Sequence, residues 1–169
     1  MNKQYCEEVD IGGSDFDQYL TFRIASESFG IELSRTREIL EYGGVTSVPL
    51  MPAFISGVIN LRGEVVPIID LAVRLGRPAI EVNRRTCVIV IEIESEEQKH
   101  TLGLLADAVH EVAEIPANDI EEAPAFGAKI RAEFIQGIAK KNDEFIIILD
   151  ADKTLSMREL AKLVEAELE

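Results

Sequence analysis

The chain has 169 residues and a formal net charge of −14, from 17 Lys and Arg residues against 31 Asp and Glu residues. This acidic balance argues against a role on nucleic acid or anionic lipid, because both are bound through basic patches. No apolar stretch reaches the roughly 18 residues of a membrane-spanning helix, and the polar start lacks the apolar core of a signal peptide. Two cysteines, Cys6 and Cys87, make no disulfide framework. We therefore expect a cytoplasmic protein with no direct membrane insertion.

Short apolar runs dominate the chain after a polar, acidic lead-in at 1–15, which we expect to be flexible. Eight runs rich in Val, Ile and Phe alternate with turn residues, a pattern typical of β-strands. They occupy 19–24, 29–33, 54–59, 64–71, 86–93, 101–106, 134–139 and 144–150. This spacing indicates an all-β barrel or sandwich. The segment 154–169 differs, because a capping box at Ser156 precedes apolar residues at helical spacing and predicts a C-terminal α-helix over 156–168.

An internal repeat divides the remaining chain, 16–153, into two copies at about 19–75 and 86–153. Residues 54–71 align without gaps on 134–151, and residues 29–40 align on 102–113. The first alignment matches Phe54, Gly57 and Asp70 with Phe134, Gly137 and Asp150. Because each copy is too small to form a very stable domain by itself, the repeat predicts two similar barrels packed together.

The sequence offers no convergent catalytic set. His100 and His110 lack neighbours with metal-ligand spacing, and the motifs of nucleophilic elbows and phosphate-binding loops are missing. Asp70 and Asp150 could in principle act as acid and base. The interpretation that explains both copies with one cause is that each caps the end of a strand through backbone N–H groups. Gly57 and its equivalent similarly indicate bulges or close backbone approaches.

Two long connections, 43–53 and 113–124, occupy equivalent places in the two copies. Both contain prolines and lack strict alternation, which favours loops. Ordered loops of this length are common binding elements.

The order of motifs resembles the CheW family. It contains TREIL at 36–40, VP at 48–49, FISGVINLRG at 54–63 and VPIIDL at 66–71, and the resemblance covers roughly 17–153. It implies two SH3-like five-stranded β-barrels and a non-catalytic adaptor in bacterial chemotaxis, without cofactor or metal. Family members join the hairpin tip of chemoreceptors to the regulatory domain of the CheA histidine kinase, in arrays at the inner face of the membrane.

The resemblance also implies two binding surfaces. The receptor surface lies in the groove between the barrels, and the matching positions are Glu38, Ile39, Gly57, Asn60, Leu61, Arg62 and Gly63. The kinase surface lies at the exposed end of the first barrel, in the connection 42–48, where the matching positions are Tyr42, Gly43, Val45 and Val48.

Arg62 stands out when the two copies are compared. The turn at 61–63 needs a residue such as Gly63 that tolerates positive φ, but it does not need an arginine after an exposed leucine. Asn142 occupies the equivalent place in the second copy. We therefore interpret Leu61-Arg62 as a contact pair, with Glu38 as a partner that positions Arg62 or as a structural acid.

Two alternative functions remain open at this point. The chain could be the coupling domain of a related chemosensory scaffold protein. It could also be a small ligand-binding or hydrolytic β-barrel that uses Asp70 and Asp150.

Overall fold

The computed structural model describes residues 18–95, 97–122, 134–141 and 143–154, which form eleven β-strands, two short α-helices and two single-turn 3-10 helices. The predicted lead-in at 1–15 and the predicted helix at 156–168 lie outside these residues. The strands are β1 (Gln18–Ile24), β2 (Glu27–Glu32), β3 (Thr36–Glu41), β4 (Ile55–Leu61), β5 (Glu64–Asp70), β6 (Cys87–Ser95), β7 (Gln98–Ala106), β8 (Ala108–Glu114), β9 (Ile120–Glu121), β10 (Ile135–Lys141) and β11 (Glu144–Leu149). The α-helices are α1 (Leu71–Arg74) and α2 (Ala151–Thr154).

The strands form two sheets, which confirms the expected all-β, SH3-like architecture. One sheet has the order β8-β1-β2-β11-β10-β9, and the other has the order β3-β6-β7-β5-β4. The first sheet has six strands rather than five, because the two-residue β9 pairs with β10 through Ala139 and Ile138. Below, the first is called the A barrel and the second the B barrel.

Neither sheet is built from one sequence repeat alone. In the A barrel, β2 of the first copy runs parallel to β11 of the second, with Gly30 opposite Ile148. In the B barrel, β7 of the second copy runs parallel to β5 of the first, with Gly103 opposite Ile68. These two residue pairs are equivalent in the repeat, so the copies exchange their hairpins reciprocally. The exchange makes each barrel dependent on both halves of the chain.

Three apolar clusters hold the molecule together. The largest lies between the sheets and includes Phe22, Phe29, Ile89 and Ile91, all fully buried. Each barrel also has a small interior cluster of its own, which contains Ile146 and Ile148 in the A barrel, and Val66, Ile68, Val88, Val90 and Leu105 in the B barrel. The position of the largest cluster explains why the two barrels form one packed unit.

All eight predicted strands are present, with ends shifted by up to three residues, but β3, β8 and β9 were missed. β3 and β8 are edge strands whose side chains are mostly half-buried or exposed, and each contains charged residues. Edge strands of this kind lack the apolar alternation by which a strand is recognised in a sequence. The omission affects the functional interpretation, since Glu38 and Ile39 lie on β3.

Candidate protein-interaction site

The tip of the β4–β5 hairpin is a two-residue turn formed by Arg62 and Gly63. Their φ angles are +52° and +86°, as a tight hairpin turn of the I′ type requires. Asn60 stabilises the turn, because its Oδ1 accepts a hydrogen bond of 2.8 Å from the Gly63 amide. A left-handed backbone costs a residue with a side chain about 1 kcal/mol, so an arginine at position 62 carries a conformational cost that a glycine would not.

Glu38 holds the Arg62 guanidinium in place. Arg62 Nη2 lies 2.9 Å from Glu38 Oε1 and 2.8 Å from Oε2. β3 and β4 are the two edge strands of the B sheet. The ion pair joins β3 to the hairpin tip that follows β4, and so it connects the two edges of the B barrel. The Arg62 side chain is 69% exposed and that of Glu38 25%. The predicted pairing of the two residues is confirmed, and it leaves most of Arg62 accessible to a partner.

Leu61 does not have the predicted exposure. It is half-buried against the interior cluster of the B barrel, because it lies inside β4 opposite Glu64. The exposed apolar residue at the tip is Val65, which is 67% exposed and pairs with Asn60. The alternation of strand side chains could have revealed this, since the neighbouring Val66 is completely buried.

Glu38 and Ile39 point to opposite faces of β3, as neighbouring strand residues must. Ile39 packs against the cluster between the barrels and lines a cleft of about 480 Å³ together with Val109. Of the seven residues that the resemblance assigns to the receptor, the structure therefore brings Glu38, Asn60, Arg62 and Gly63 together at the tip. Ile39 belongs to the inter-barrel cleft.

Gly57 is buried below this surface and presents no side chain to a partner. A Cβ there would lie 2.5 Å from the Thr46 carbonyl oxygen, and φ is +156°. The space is occupied because Thr46 and Val58 exchange two backbone hydrogen bonds of 2.9 Å beside a bulge in β4. Gly137 has the same surroundings in the second copy, where Glu121 takes the place of Thr46. The expected close backbone approach is confirmed at both glycines.

Gly57→Ala is expected to lower the free energy of unfolding by about 1–2 kcal/mol, because the added methyl group displaces the Thr46 backbone. Gly43→Ala is the matched control, since nothing lies within 4 Å of a Cβ at Gly43. Its effect should stay below about 0.5 kcal/mol. Urea unfolding of both variants measures the difference, and equal losses would contradict the assignment.

The connection between β3 and β4 is partly internal. Tyr42 and Val45, two of the predicted kinase-binding residues, pack half-buried against the interior cluster of the B barrel. Val48 is also half-buried, while Gly43 is exposed. Leu50 was not predicted, yet it is 59% exposed and adopts a φ of +62°. The accessible positions of this connection are therefore 43–44, 46–47 and 49–50.

The equivalent hairpin in the second copy is built differently. Asn142 lies outside the described residues, so the comparison rests on its neighbours. Glu144 forms an ion pair of 3.4 Å with Arg23 of β1 and a hydrogen bond with Ser28 of β2. Arg23 Nε also donates a hydrogen bond of 3.2 Å to His110 Nε2. The arginine beside this hairpin, Arg23, belongs to β1 inside the sheet, whereas Arg62 lies at the hairpin tip itself.

Asp70 and Asp150 bond nearby backbone N–H groups at the end of a strand, as the repeat predicted, and the structure adds that each precedes a short helix and accepts hydrogen bonds from its amides. Asp70 is buried and accepts hydrogen bonds from the backbone amides of Ala72, Val73 and Ile80 at 3.0–3.4 Å. Asp150 accepts one of 3.2 Å from the amide of Lys153. Among the residues that the structure describes, no group of three or more His, Cys, Asp or Glu side chains is placed to bind a metal ion.

Cys87 is a free thiol, half-buried at the start of β6. Burial raises the pKa of the thiol. A hydrogen bond involving the Val109 backbone acts in the opposite direction, and the negative charge of Asp107 adds to the rise. The thiolate is the reactive form, so both burial and the raised pKa slow its reaction.

The two cysteines should therefore differ in reactivity by at least about tenfold in the folded protein, with Cys6 the faster. Cys6 lies outside the described residues, and its exposure is a prediction from the sequence. A chromogenic thiol reagent applied to Cys6→Ser and Cys87→Ser variants reports each thiol separately. The difference should vanish in denaturant, and equal rates in the folded state would contradict it.

Within the described segments, every helix is too short and too polar to span a bilayer.

Comparisons with known proteins point in one direction. The family model for the CheW-like domain matches residues 18–159. The "Chemotaxis protein CheW" of Klebsiella aerogenes is 33% identical over 144 residues, which cover 85% of this chain and 84% of that protein. The protein of the same description from Treponema pallidum is 31% identical and covers 86% of each chain. The crystal structure of the scaffolding protein TtCheW from Thermoanaerobacter tengcongensis aligns with a TM-score of 0.70 and 36% identity, over 79% of this chain and 84% of that one.

Proposed function

Because the chain belongs to the CheW-like domain family, we propose that it is a non-catalytic adaptor of a chemotaxis pathway. It binds the cytoplasmic hairpin tip of chemoreceptors and the regulatory domain of the CheA kinase, and so couples the two in receptor arrays. A protein with this role lies in the cytoplasm, at the inner face of the membrane through its receptors and without insertion. The relatives named as chemotaxis proteins and the relative named as a scaffolding protein support this assignment.

The observation that carries the proposal is the exposed Arg62, held by Glu38 at the tip of the β4–β5 hairpin. A turn at this position would form more readily with Asn or Gly, so the arginine is better explained by contact with a partner. The Glu38 carboxylate restricts the guanidinium to one orientation before a partner arrives, which reduces the entropy lost on binding. Three N–H groups of a fixed guanidinium remain suited to carboxylates or carbonyls on a receptor helix.

The kinase surface is proposed for the connection that follows β3. Its exposed positions, 43–44, 46–47 and 49–50, lie outside the interior cluster that holds Tyr42 and Val45. The left-handed backbone of Leu50 presents a large apolar side chain to solvent, a combination that costs free energy unless a partner covers it. The Tyr42 amide donates a hydrogen bond of 3.2 Å to the Thr86 carbonyl, which fixes the beginning of the connection.

No observation on the described residues favours the hydrolytic alternative. Asp70, which motivated it, is buried and engaged with three backbone amides. A general base must reach a proton of its substrate, and an occupied, buried cap does not provide that geometry.

The two surfaces should be separable by substitution. Glu38→Ala combined with Arg62→Ala should weaken receptor binding and change kinase affinity by less than about twofold, or roughly 0.4 kcal/mol. Gly43→Arg, whose Cβ has no neighbouring atom within 4 Å, should weaken kinase binding and leave receptor affinity within the same limit. Calorimetric titration of each variant against a receptor signalling fragment and against the kinase regulatory domain measures both affinities.

A variant that combines these substitutions should lose both affinities independently, because patches more than about 7–10 Å apart act additively. Linked binding raises the affinity of an assembly only when both sites are occupied together. Competition between receptor and kinase for one surface of the wild-type protein would refute the adaptor proposal.

A further inference from the structure

The cleft of about 480 Å³ lies where the two barrels meet at β3 and β8, the edge strands of the B and A sheets. Its apolar wall includes Ile39, Ala108 and Val109, and both Ile39 and Val109 continue into the cluster between the barrels. The charged and titratable side chains around it are Glu41 from β3, His110 from β8, Cys87 from β6, and Arg84 and Arg85 from the segment before β6.

Arg84 and Arg85 differ from the other arginines in the described part of the chain. The other six each have an identified partner: Arg23 and Glu144, Arg35 and Asp152, Arg37 and Thr101, Arg62 and Glu38, Arg74 and the rings of Phe54 and Phe134, Arg77 and Glu27. The side chains of Arg84 and Arg85 are exposed, and neither forms an ion pair or a hydrogen bond with any described residue. Two adjacent cations without a partner are unexpected in a chain with a net charge of −14, where carboxylates are abundant.

A turn closed by hydrogen bonds carries these two arginines. Thr86 Oγ1 accepts a hydrogen bond of 2.9 Å from the Asn83 amide, and the Thr86 amide donates one of 3.2 Å to the Asn83 carbonyl. Asn83 Oδ1 accepts a further bond of 2.7 Å from the Arg85 amide. The buried Thr86 also accepts the Tyr42 amide through its carbonyl. The backbone of both arginines is therefore fixed before a partner binds, which lowers the entropic cost of binding.

We propose that Arg84 and Arg85 form a carboxylate-recognition site at the mouth of the inter-barrel cleft, which selects an acidic residue on the receptor helix whose apolar side chains pack against Ile39 and Val109. The inference rests on the proposed function and specifies the chemistry of its receptor contact. An amphipathic helix that lies in an apolar groove needs an anchor at the rim to set its register, and guanidinium groups bind carboxylates in a two-pronged geometry. The cleft lining carries two cations, Arg84 and Arg85, and one carboxylate, Glu41, while Asp107 lies near enough to act on the Cys87 thiol.

The test compares two double variants of the full chain that change the net charge equally. Arg84→Glu with Arg85→Glu removes the proposed site. Lys99→Glu with Lys153→Glu is the control, because both lysines lie near Glu94, far from the cleft. Lys99 is opposite Glu94 in the β6–β7 pairing, and Lys153 follows Asp152, whose Oδ1 accepts a hydrogen bond from the Glu94 amide. Glu94 is seven residues along β6 from the cleft residue Cys87, about 23 Å at strand spacing. Binding of each protein to a receptor signalling fragment is measured by calorimetry.

The arginine variant should bind the receptor fragment at least about tenfold more weakly than the control variant. The difference should shrink as NaCl rises from about 0.05 to about 0.5 M, because salt screens exposed ion pairs. Arg84→Gln with Arg85→Gln, a smaller change to the turn, should give a loss in the same direction. Thermal unfolding checks that each variant folds.

Equal receptor affinities of the arginine and lysine variants would overturn the inference and leave the adaptor proposal standing. A loss of kinase binding alone would also overturn it and would assign the arginines to the kinase surface. If the wild-type protein binds no receptor fragment, the proposed function fails, and the inference fails with it.

Discussion

Replacing Arg62 by alanine is expected to weaken receptor binding by about 1–3 kcal/mol, which corresponds to a roughly 5- to 150-fold higher Kd. The side chain is 69% exposed, so its removal takes little away from the folded protein itself. The free energy of unfolding should change by less than about 0.5 kcal/mol. Calorimetry against a receptor signalling fragment and urea unfolding measure the two effects.

Arg62→Asn makes the same prediction sharper. Asparagine tolerates the φ of +52° better than arginine and favours the I′ turn before Gly63. This variant should therefore unfold at a higher urea concentration while it binds the receptor more weakly. Asn142→Ala, at the equivalent position in the sequence repeat, should leave receptor affinity unchanged. If both positions behave alike, the contact role of Arg62 is wrong.

Asp70→Ala is expected to lower the free energy of unfolding by about 2–4 kcal/mol. The carboxylate is buried and accepts hydrogen bonds from three amides, two in α1 and one at Ile80. Loss of a helix cap costs about 1 kcal/mol, and each buried amide left without an acceptor costs about 1–3 kcal/mol. Ile80 packs against both the inter-barrel cluster and the interior cluster of the B barrel, so a displaced 71–80 segment disturbs two cores.

Asp150→Ala is the matched control, because Asp150 is the repeat equivalent of Asp70 and is only half-buried. We expect a loss of about 1 kcal/mol there. Urea unfolding of both variants gives the comparison. Equal losses at the two positions would contradict the account of Asp70, and an unchanged stability of Asp70→Ala would reopen the question of a chemical role for this carboxylate.

Local chemistry explains what the sequence could determine about this protein. The eight buried strands are recognisable from their apolar side chains and the turn residues between them. The repeat makes Asp70 and Asp150 recognisable as caps, and Gly57 and Gly137 as sites of close backbone approach. The turn at Arg62 was also readable, because Gly63 in the first copy, and Asn142 at the position equivalent to Arg62 in the second, favour a hairpin turn. The strands, the hairpin turn and the caps each depend on residues within about ten positions of one another along the chain.

Tertiary structure alone decided which segments meet. The repeat suggests two units in sequence, yet the parallel pairs Gly30–Ile148 and Gly103–Ile68 exchange hairpins between them. Both arrangements bury the same side chains on the same strand faces, so apolar periodicity cannot distinguish them. The edge strands β3 and β8 carry too few buried residues to be recognised locally, and they determine that Ile39 enters the cleft while Glu38 meets Arg62.

The separation of paired from unpaired charges was likewise invisible in the sequence. Ten arginines look alike in a chain of 31 acids, and their ion pairs join residues 24 to 121 positions apart. The sequence analysis offered Glu38 as a partner of Arg62, but only the folded chain shows that this pair forms and that Arg84 and Arg85 face solvent at the mouth of a cleft. The sequence by itself determined the strands, turns and caps, because these depend on short-range preferences. The tertiary structure decided the surfaces, because they depend on long-range register.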